Sequence, residues 1–499
     1  MRIRIVGAGT MGRGIAQWAV TAGHTAELAD ARTESVTEAV DFVRRMCERA
    51  VEKGRMGADE CKAALDRLIP LDSPYAPPAP DAAPELVIEA VLEELEIKAG
   101  VFTELERVLP AGTVFATNTS SLPVTRIAAQ LAEPGRLAGL HFFNPVPLMR
   151  IVEVVPGAET RADVPPLLTA FVESCGHRAV TVADTPGFLV NHAGRGLVTE
   201  AFALLEESVA GPAALDRIAR DVLGLRMGPF ELMDLTGLDV TASVMETVWS
   251  GFRFSDRLRP SYLTANRVTA GLHGRKTGRG FYAYDGTGPG PRDAPEPDLG
   301  GGDPARPVTV AGEGPEADAL RAALGRPEGE GGLVLVPTWG TTVAEAVAAH
   351  GLPAARTLGV DPLSLGTPRR VLAVTPATAP DAVRDAAAVL AEGHAVTAVR
   401  DTAGSVAQRL LASIVSVAAS IAERGIATPD DIDLAVTLGL GYPKGPLAWG
   451  DTVGADRMRD LGEALTATTG DPRYRPTRWV RERASLGLPL TTPMPPLPG

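Results

Sequence analysis

The amino-acid sequence predicts a doubly wound α/β sheet followed by an all-α domain, and then a degenerate second α/β segment followed by a second all-α domain. Three observations lead to this prediction. A strand, a glycine-rich loop, a helix and another strand open the chain; strands and helices keep alternating up to residue 183; and the helical segment that comes next recurs later in the sequence. Alternating strands and helices are typical of a mostly parallel sheet with helices on both faces.

The first residues predict a βαβ unit. Arg2–Val6 is apolar and β-branched and is bounded by Gly7, which predicts a short strand. The residues after the glycine-rich loop have helical spacing and stop at Gly23, and HTAELAD then predicts a second strand that ends at Asp30. A strand, loop, helix and strand in this order begin a Rossmann-like sheet.

The loop of this unit predicts a dinucleotide site. Gly7 permits a tight turn, Gly9 lets the backbone approach a pyrophosphate, and Gly12 lets the helix pack closely on the strand. The first helical turn contains Thr10 and Met11, and its free N–H groups and positive dipole end favour phosphate binding.

Asp30 at the end of the second strand favours NAD as the cofactor. A carboxylate there accepts hydrogen bonds from an adenosine ribose and repels a 2′-phosphate, so NADP is disfavoured. Arg32 lies close enough in sequence to soften that preference. A tight βα turn that binds no ligand is the alternative interpretation.

The rest of the first half predicts two domains and a linker. A long, charged helical excursion over Thr33–Leu68 precedes further strands at ELVIEAV, TVFATNT, LAGLHFF, RIVEVV and RAVTVAD. We therefore expect an NAD-binding Rossmann domain over 1–183. Amphipathic helices then predict a helical substrate- or dimerisation-type domain over 184–285, and the composition of 286–306 predicts a Gly/Pro-rich linker.

An internal repeat defines the second half. A shift of 217 residues superposes 184–239 on 401–456 without a gap. The matches include aspartates, prolines and glycines, among them Asp184 on Asp401. The helical domain is therefore duplicated.

The remaining segments of the second half follow from this repeat. We expect a degenerate Rossmann-like segment over 307–399, a second helical domain over 400–470 and an extended C-terminal tail over 471–499. VTVAGEGPEA parallels IRIVGAGTMG, with Ala317 where the first copy has Gly12, and LVLVP, RRVLAV and HAVTAV predict further strands.

HFFNPVPLMRIVEVV predicts an acid–base pair. His141 closes one strand, the two prolines force a turn, and the next strand can return Glu153 to the side of His141. A buried carboxylate next to an imidazole fixes its tautomer and favours its cation, which makes a general base. A core histidine with an unrelated surface glutamate fits the spacing equally well.

Polar residues at another strand end are further candidates. TNTSS ends a strand at the edge where doubly wound sheets bind ligands, so Asn118, Ser120 and Ser121 are candidate hydrogen-bonding groups. They are equally suited to cap the next helix. Asn191, in the first helix of the helical domain, is ambiguous in the same way.

Composition excludes several classes of function. With 48 basic and 61 acidic residues the net charge is −13, which argues against a general nucleic-acid binder. The cysteines neither form a disulfide framework nor cluster as metal ligands, and they fit a reducing compartment: Cys47, Cys61 and Cys175. We find no metal site, and the absence of a signal peptide or an apolar membrane-spanning run leads us to expect a cytoplasmic protein.

Six segments, taken in order, resemble the L-3-hydroxyacyl-CoA dehydrogenase family, including 3-hydroxybutyryl-CoA and 3-hydroxyadipyl-CoA dehydrogenases. They are GAGTMGRGIA, VIEAVLEELEIK, ATNTSSLPVTRIA, HFFNPVPLMRIVEVV, DTPGFLVN and GRKTGRGFYAYD. The resemblance covers 1–285 closely and extends to the long form with a duplicated C-terminal domain. It implies reversible NAD-linked oxidation of an (S)-3-hydroxyacyl-CoA to the 3-ketoacyl-CoA.

The resemblance also implies roles for single residues. His141 takes the proton of the substrate hydroxyl, Glu153 orients it, and Ser120 and Asn191 hydrogen-bond the reacting oxygen and hold the acyl group. Lys53 matches a position that touches the CoA moiety, although an exposed helix end explains it equally well. The other cofactor contacts that the resemblance implies are Asp30, Glu93, Lys98 and Asn144.

The second half departs from the family pattern. Gln408 replaces Asn191, and no histidine aligns with His141, so we expect a structural half whose helices pack against the first helical domain. The molecule is then either a homodimer or a pseudo-dimeric monomer. Two other functions stay open: a non-catalytic dinucleotide-binding scaffold, and a dehydrogenase of a non-CoA hydroxy acid. Candidates for binding a terminal carboxylate of the acyl chain are Arg150, Arg195 and Arg226.

Overall fold

The computed structural model describes residues 1–79, 81–286, 290–292 and 294–495. Two compact units are present. The first consists of Met1–Val190 and Gly425–Leu440, and the second of Asn191–Arg424 and Gly441–Gly499. Each unit therefore contains residues from both halves of the chain, which differs from the succession of domains that the sequence predicts.

Strands and helices alternate along most of the chain. The strands are β1 (Arg2–Val6), β2 (Thr25–Ala29), β3 (Leu68–Pro70), β4 (Leu86–Glu89), β5 (Val114–Thr117), β6 (Leu137–Phe142), β7 (Ile151–Pro156), β8 (Arg178–Thr181), β9 (Val308–Val310), β10 (Leu333–Pro337), β11 (Thr357–Val360), β12 (Arg369–Val374) and β13 (Ala395–Arg400). The helices are α1 (Thr10–Thr21), α2 (Thr33–Glu52), α3 (Ala58–Asp66), α4 (Leu95–Val108), α5 (Val124–Ala128), α6 (Val164–Ser174), α7 (Val190–Ala193), α8 (Arg195–Glu206), α9 (Pro212–Asp221), α10 (Pro229–Thr236), α11 (Leu238–Gly251), α12 (Tyr262–Thr269), α13 (Pro315–Leu324), α14 (Val343–His350), α15 (Pro380–Leu390), α16 (Ser405–Glu423), α17 (Pro429–Leu440), α18 (Pro446–Val453), α19 (Ala455–Thr469) and α20 (Arg478–Leu486).

The first unit contains a sheet of order β3-β2-β1-β4-β5-β6-β7-β8. Its neighbouring strands are parallel except for β6 and β7, which are antiparallel. Apolar residues of the central strands are fully buried, among them Ile3, Ile5 and Ile88, because helices cover both faces of the sheet. The strand order reverses between β1 and β4, which is the place where doubly wound sheets bind ligands. This confirms the predicted Rossmann-like sheet.

The first unit also includes a helix from the second half of the chain. Helix α17 packs on β7 and β8, and the carbonyl of Ile426 accepts a hydrogen bond of 2.8 Å from the amide of Ala183. A side chain at Gly439 would lie 3.0 Å from Val190. Because Gly439 has no side chain, α17 can lie close to Val190. The duplicated helical repeat therefore does not form a separate unit.

The second unit combines a smaller sheet with most of the helices. The sheet order is β13-β12-β11-β10-β9, and only β11 and β12 pair antiparallel. Helix α8 packs lengthwise on α16, its counterpart in the repeat, and α9 contacts β12. At Gly196 a side chain would collide with the backbone of Ile414, which explains the close approach of the two helices. The two copies of the helical segment thus pack against each other.

The second sheet corrects one sequence alignment. Its antiparallel pair followed by a parallel strand reproduces β6-β7-β8, so β9 corresponds to β4 and not to β1. Asp184 accepts hydrogen bonds from the first two amides of α5, and Asp401 does the same for α14. The correspondence of Ala317 with Gly12 is therefore wrong, because the second half contains no counterpart of β1 and α1 in the residues that the structure describes.

The matching strand orders of the two sheets identify the residue of the second sheet that corresponds to His141. Gly139 of β6 and Gly359 of β11 occupy equivalent positions opposite the antiparallel neighbour. Two residues further on, the first sheet carries His141 and the second sheet carries Asp361. Asp361 is buried, and Gln408 donates a hydrogen bond of 2.9 Å to it. A carboxyl group and an amide thus fill the position that corresponds to the histidine.

The C-terminal prediction is wrong. Instead of an extended tail, the chain forms α20, which packs on α19 and α16. Trp479 and Leu490 are buried, and the indole of Trp479 donates to the carbonyl of Leu490 at 2.8 Å. Residues 496–499 lie outside the described part of the chain.

The stretch 286–306 and helix α16 are both held against the rest of the second unit. The described residues of 286–306 form no helix or strand, but Glu296 is ion-paired with Arg369 and accepts a hydrogen bond from Thr397, so this stretch is anchored to the second sheet. In the described part of the chain, α16 alone is long and apolar enough to cross a membrane, and most of it is buried among the other helices. Length and burial together are those of a central core helix.

Candidate active site

The loop between β1 and α1 is shaped by close backbone contacts. Gly7 has φ of +106°, and a side chain there would lie 2.4 Å from the carbonyl oxygen of Ala90. A side chain at Gly12 would lie 1.7 Å from the carbonyl oxygen of Gly7. Around Gly9, in contrast, a side chain would meet nothing within 4 Å. Packing therefore requires the first and third glycines, whereas the second borders open space.

That open space suits a dinucleotide. Gly9 precedes α1 without a side-chain cap, so the amides of the first turn, at Thr10 and Met11, are available to phosphates. Asp30 accepts hydrogen bonds from the amides of Ala8 and Arg32, at 2.8 and 3.0 Å, which holds its carboxylate at the end of β2. These residues border a cleft of about 930 Å³.

The walls of this cleft fit the adenosine end of NAD. The remainder of its lining is largely apolar, as a flat purine requires: Pro74, Tyr75, Leu92, Ile97 and Val101. The carboxylate of Asp30 stands at the edge of the cleft, where a ribose hydroxyl can donate to it. The residues present therefore fit the predicted cofactor.

Glu93 organises the strand end that follows β5. Its Oε1 accepts hydrogen bonds from the Ser120 and Ser121 amides, at 2.8 and 3.0 Å, and from the Thr119 hydroxyl at 2.7 Å. Burial acts to raise the pKa of Glu93, but Lys98 and these hydrogen bonds outweigh burial and lower its pKa to about 2. Glu93 is therefore ionised and fixes the TNTSS loop.

Lys98 is an internal cation rather than an exposed contact. It is 1% exposed and lies 2.7 Å from Glu89 and 3.1 Å from Glu93. Its ammonium group thus links β4 to the loop that holds Ser120, whose hydroxyl lies 3.4 Å from Glu93. The structure brings Ser120, selected from the TNTSS segment, together with Glu93 and Lys98, which the resemblance implies as cofactor contacts.

His141 and Glu153 are directly opposite each other in the antiparallel pair of β6 and β7. Nδ1 of His141 lies 2.5 Å from Oε2 of Glu153. The other oxygen of Glu153 accepts hydrogen bonds from the amides of Leu189 and Val190, at 3.0 and 2.8 Å. Glu153 is fully buried, so its charge is compensated by these three donors and not by water.

This geometry leaves one nitrogen of His141 for chemistry. Hydrogen bonding at Nδ1 makes Nε2 the proton acceptor, and in the described residues Nε2 has no hydrogen-bond partner. Phe143 and Phe188 flank the ring, with centroids at 4.5 and 5.6 Å. Asn118 accepts a hydrogen bond from the amide of Phe142 at 2.9 Å, which ties β5 to the strand that carries His141. The imidazole of His141 is thus fixed by Glu153, and its Nε2 is available to accept a proton.

A second cleft, of about 380 Å³, has a cationic rim. Lys53, at the end of α2, lines it together with Asn144. The sequence analysis misses three cations that lie on the same cleft: Arg13, Arg49 and Arg55. Arg49 and Lys53 are four residues apart on the last turn of α2 and its cap, and this spacing is the signal that would have found the pair.

Asn191 belongs to the second compact unit. Its carbonyl accepts a hydrogen bond of 2.9 Å from Nε of Arg195, one turn further along. The contact of Asn191 with the acyl group stays a prediction.

Comparison with known proteins covers nearly the whole chain. Residues 2–185 match the family model described as 3-hydroxyacyl-CoA dehydrogenase, NAD binding domain, and residues 187–284 and 404–490 match its C-terminal domain. The chain is 37% identical over 491 residues to the 3-hydroxyadipyl-CoA dehydrogenase of Escherichia coli (strain K12), covering 97% of each chain. It is 38% identical over 284 residues to a probable 3-hydroxybutyryl-CoA dehydrogenase of Bacillus subtilis (strain 168), covering 57% of this chain and 97% of the relative.

A solved structure supports the same relationship. The crystal structure of 3-hydroxybutyryl-CoA dehydrogenase from Escherichia coli K12 matches with a TM-score of 0.87 and 36% identity. The match covers 97% of this chain and 98% of that one. The similarity therefore includes both halves of the molecule.

Proposed function

The chain belongs to the 3-hydroxyacyl-CoA dehydrogenase family, and from that premise we propose that His141 is the acid–base group for the reversible oxidation of an (S)-3-hydroxyacyl-CoA to the 3-ketoacyl-CoA. The cofactor-binding residues would hold NAD, which would supply the hydride acceptor for the substrate carbon C3. The protein has to hold the substrate and to move one proton. The observation that carries the proposal is the buried pair of His141 and Glu153 at 2.5 Å.

His141 performs the proton transfer through Nε2. In the oxidation, Nε2 takes the proton of the substrate 3-hydroxyl, and in the reduction it returns a proton to the ketone oxygen. Glu153 acts through His141: its carboxylate holds Nδ1–H and stabilises the imidazolium that forms. Because Glu153 is itself fixed by the amides of Leu189 and Val190, the ring has little freedom to turn away.

Ser120 and Asn191 complete the proposed catalytic set. We assign them to hydrogen bonds with the reacting oxygen and to holding the acyl group. The cofactor-binding set is Gly7, Gly9, Thr10, Met11, Gly12, Asp30, Glu93, Lys98, Asn118, Ser120 and Asn144. The buried position of Lys98 makes its contribution indirect, through Glu93 and the loop that Glu93 holds.

The cationic cleft suits the CoA moiety. Lys53, Arg49 and Arg55 offer several positive charges to phosphates, and Arg13 lies above the ring of Phe42 at 4.4 Å. A phosphate gains charge-assisted hydrogen bonds in such a site. This local charge compensates for the overall acidity of the chain with respect to an anionic substrate.

We further propose that the helical repeat replaces a contact between subunits, so that one chain forms the equivalent of a dimer. Support comes from the packing of α8 on α16 within the second unit. The free cysteines also favour a cytoplasmic location, where thiols stay reduced.

The test of the base is His141→Ala. We expect kcat for 3-hydroxybutyryl-CoA oxidation to fall by about 10²- to 10⁴-fold, the usual contribution of a general base. The affinity for NADH, measured by fluorescence titration, should stay within about twofold because His141 does not line the adenosine cleft. His350→Ala is the matched control, since His350 is exposed on α14. Turnover at the wild-type rate in His141→Ala would refute the assignment, and NADH binding without turnover in the wild type would favour the scaffold alternative.

A further inference from the structure

The turn between β8 and α7 places a bulky residue in a backbone conformation that such residues rarely adopt. Gly187 has φ of +74°, and Phe188 has φ of +50°. Glycine adopts this left-handed region readily, whereas the Cβ atom of any other residue crowds the backbone there. Phe188 is 2% exposed, and its amide donates to the carbonyl of Thr185 at 2.9 Å. The fold therefore holds a strained phenylalanine to which the proposed function gives no role.

The second copy of the helical repeat contains the same turn with a different residue. The shift of 217 residues superposes Phe188 on Ser405, and Gly404 and Ser405 have φ of +71° and +49°. The amide of Ser405 donates to the carbonyl of Thr402 at 3.3 Å, as the amide of Phe188 does to Thr185. The turn thus forms with a small side chain as well, so its backbone conformation does not require a phenyl ring.

The phenyl ring of Phe188 packs against the imidazole of His141. The two ring centroids are 5.6 Å apart in an edge-on arrangement, and Phe143 contacts the same imidazole with a centroid distance of 4.5 Å. In the second sheet Asp361 takes the place of His141, and the turn of that copy carries Ser405. The large residue is thus present in the copy that has an imidazole to hold.

The backbone of this turn contacts the other member of the acid–base pair. The amides of Leu189 and Val190, which directly follow Phe188, donate to Oε1 of Glu153 at 3.0 and 2.8 Å. Oε2 of the same carboxylate lies 2.5 Å from Nδ1 of His141. One short segment therefore fixes the carboxylate through its backbone and packs on the imidazole through its side chain.

We propose that Phe188 is a positioning residue, whose ring holds the His141 imidazole in the orientation in which Nδ1 meets Glu153 and Nε2 stays available to the substrate. The inference rests on the proposed function, since it takes His141 as the group that moves the proton. The torsion that turns an imidazole about its Cβ–Cγ bond is broad, so hydrogen bonding at one nitrogen benefits from packing against the ring. Strain of the kind found at Phe188 is tolerated where it preorganises a reacting group.

The first experiment separates kcat from KM for the oxidation of 3-hydroxybutyryl-CoA. Phe188→Ser introduces the residue that the same turn carries in the second copy, so the left-handed backbone can be retained. We expect kcat to fall by about 10- to 100-fold, because proton transfer is misaligned, while KM and the NADH affinity stay within about threefold. Phe188→Leu keeps part of the apolar contact and should lower kcat by about three- to tenfold.

Two substitutions control for losses that do not involve His141. Phe171→Leu shortens a buried ring of the same unit that packs against Trp18, and Ser405→Gly changes the matching position of the turn in the second copy. Both should keep kcat within about twofold of the wild type, as for substitutions at independent sites. All rates are referred to the concentration of NADH-binding sites from fluorescence titration, so that unfolded molecules do not count.

The second experiment observes the hydrogen bond of the pair without turnover. The proton held between His141 and Glu153 should give a far-downfield NMR resonance in the full-length enzyme, and His141→Ala identifies this resonance by its loss. Phe188→Ser should broaden or remove the resonance, because the imidazole becomes free to turn away from the carboxylate. Phe171→Leu should leave it unchanged.

The outcomes separate the role of Phe188 from the function on which it rests. If the wild type does not oxidise the substrate, the proposed function fails, and the resonance alone tests the packing of Phe188 on the pair. If Phe188→Ser keeps the wild-type kcat, or loses kcat while its resonance is unchanged, the positioning role is wrong. If Phe188→Ser does not fold, Phe188→Leu decides, and a kcat equal to that of Phe171→Leu overturns the proposal.

Discussion

Glu153 is a single buried carboxylate that connects three separate hydrogen-bond donors. One oxygen holds Nδ1 of His141 and the other accepts two backbone amides, so the side chain is fixed at both ends. The register of β6 and β7 places the two residues face to face. The spacing of the two-strand return allowed this contact but fitted an unrelated surface glutamate equally well, because the exact register that makes the two residues directly opposed is set only in the folded sheet.

His192 gives a pH prediction at the same scale. It is fully buried against Phe252, and burial, with Arg424 and Arg195, lowers its pKa from 6.5 to about 3. The folded state therefore resists a proton that the unfolded state accepts, so the free energy of unfolding falls as the pH drops from about 6.5 towards 3. Between pH 7 and pH 5 this loss is about 2 kcal/mol.

His192→Phe should remove that part of the loss. We expect the difference in unfolding free energy between pH 7 and pH 5, from urea titrations, to shrink by about 2 kcal/mol in the variant. His350→Phe, at an exposed position, is the control and should keep the wild-type difference. An unchanged difference in His192→Phe would show that the imidazole takes up its proton in the folded state.

Other residues were beyond the reach of the sequence. Arg195 was one of three equivalent candidates for a terminal carboxylate, and its burial could not be predicted, because burial is a property of the folded chain and not of residue type. Asp361 was missed altogether, since the alignment compared the wrong strands. The cations Arg13, Arg49 and Arg55 meet Lys53 only after α1 and α2 have packed together.

At the scale of elements, the turn between β1 and α1 separates packing from ligand binding. Gly12→Ala places a methyl group 1.7 Å from the carbonyl oxygen of Gly7, so it must displace α1 from β1. Gly9→Ala meets nothing within 4 Å, and its φ of −66° suits alanine. The two substitutions add the same group at positions three residues apart.

We expect these two variants to behave differently. Gly9→Ala should weaken NADH binding by about tenfold or more, because the methyl group enters the space that a pyrophosphate needs, and its melting temperature should stay near that of the wild type. Gly12→Ala should lose both affinity and about 1–3 kcal/mol of stability through overpacking. Fluorescence titration and thermal melts check both. Equal loss of stability in the two variants would contradict this separation.

The predicted elements were right where hydrophobic periodicity was strong. The predicted strands of the first sheet are present as β1, β2 and β4 to β8, and LVLVP, RRVLAV and HAVTAV are present as β10, β12 and β13. The short strands β3 and β11 were not predicted. The alignment of VTVAGEG with IRIVGAG misled, because any βα turn can share a strand followed by glycines. Helix α20 was hidden because a proline-rich end resembles a tail, although its Trp479 is buried.

At the scale of the whole molecule, the second half supplies contacts to both units. Deleting 307–499 removes α17 from β7 and β8 and removes α16 from α8. The face of α8 around Gly196, which lies against Ile414 of α16, would then lose its cover. β7, which carries Glu153, would also lose the helix that packs on it.

We expect the truncated chain, residues 1–306, to aggregate or to self-associate, and to lose most of its turnover. Size-exclusion chromatography and the 3-hydroxybutyryl-CoA assay check this. Asp361→Asn in the full chain is the matched control, since it alters the second half at one buried position and should keep kcat within about twofold. A truncated chain that stays monomeric and fully active would refute the supporting role.

The place of α17 in the first unit has a consequence for assembly. Because α17 of the second copy reaches the first sheet through a covalent connection, its docking is a unimolecular step, and its occupancy does not depend on how much protein is present. Two separate chains that share such a contact come apart on dilution. The sheet of the first unit therefore keeps α17 at any protein concentration.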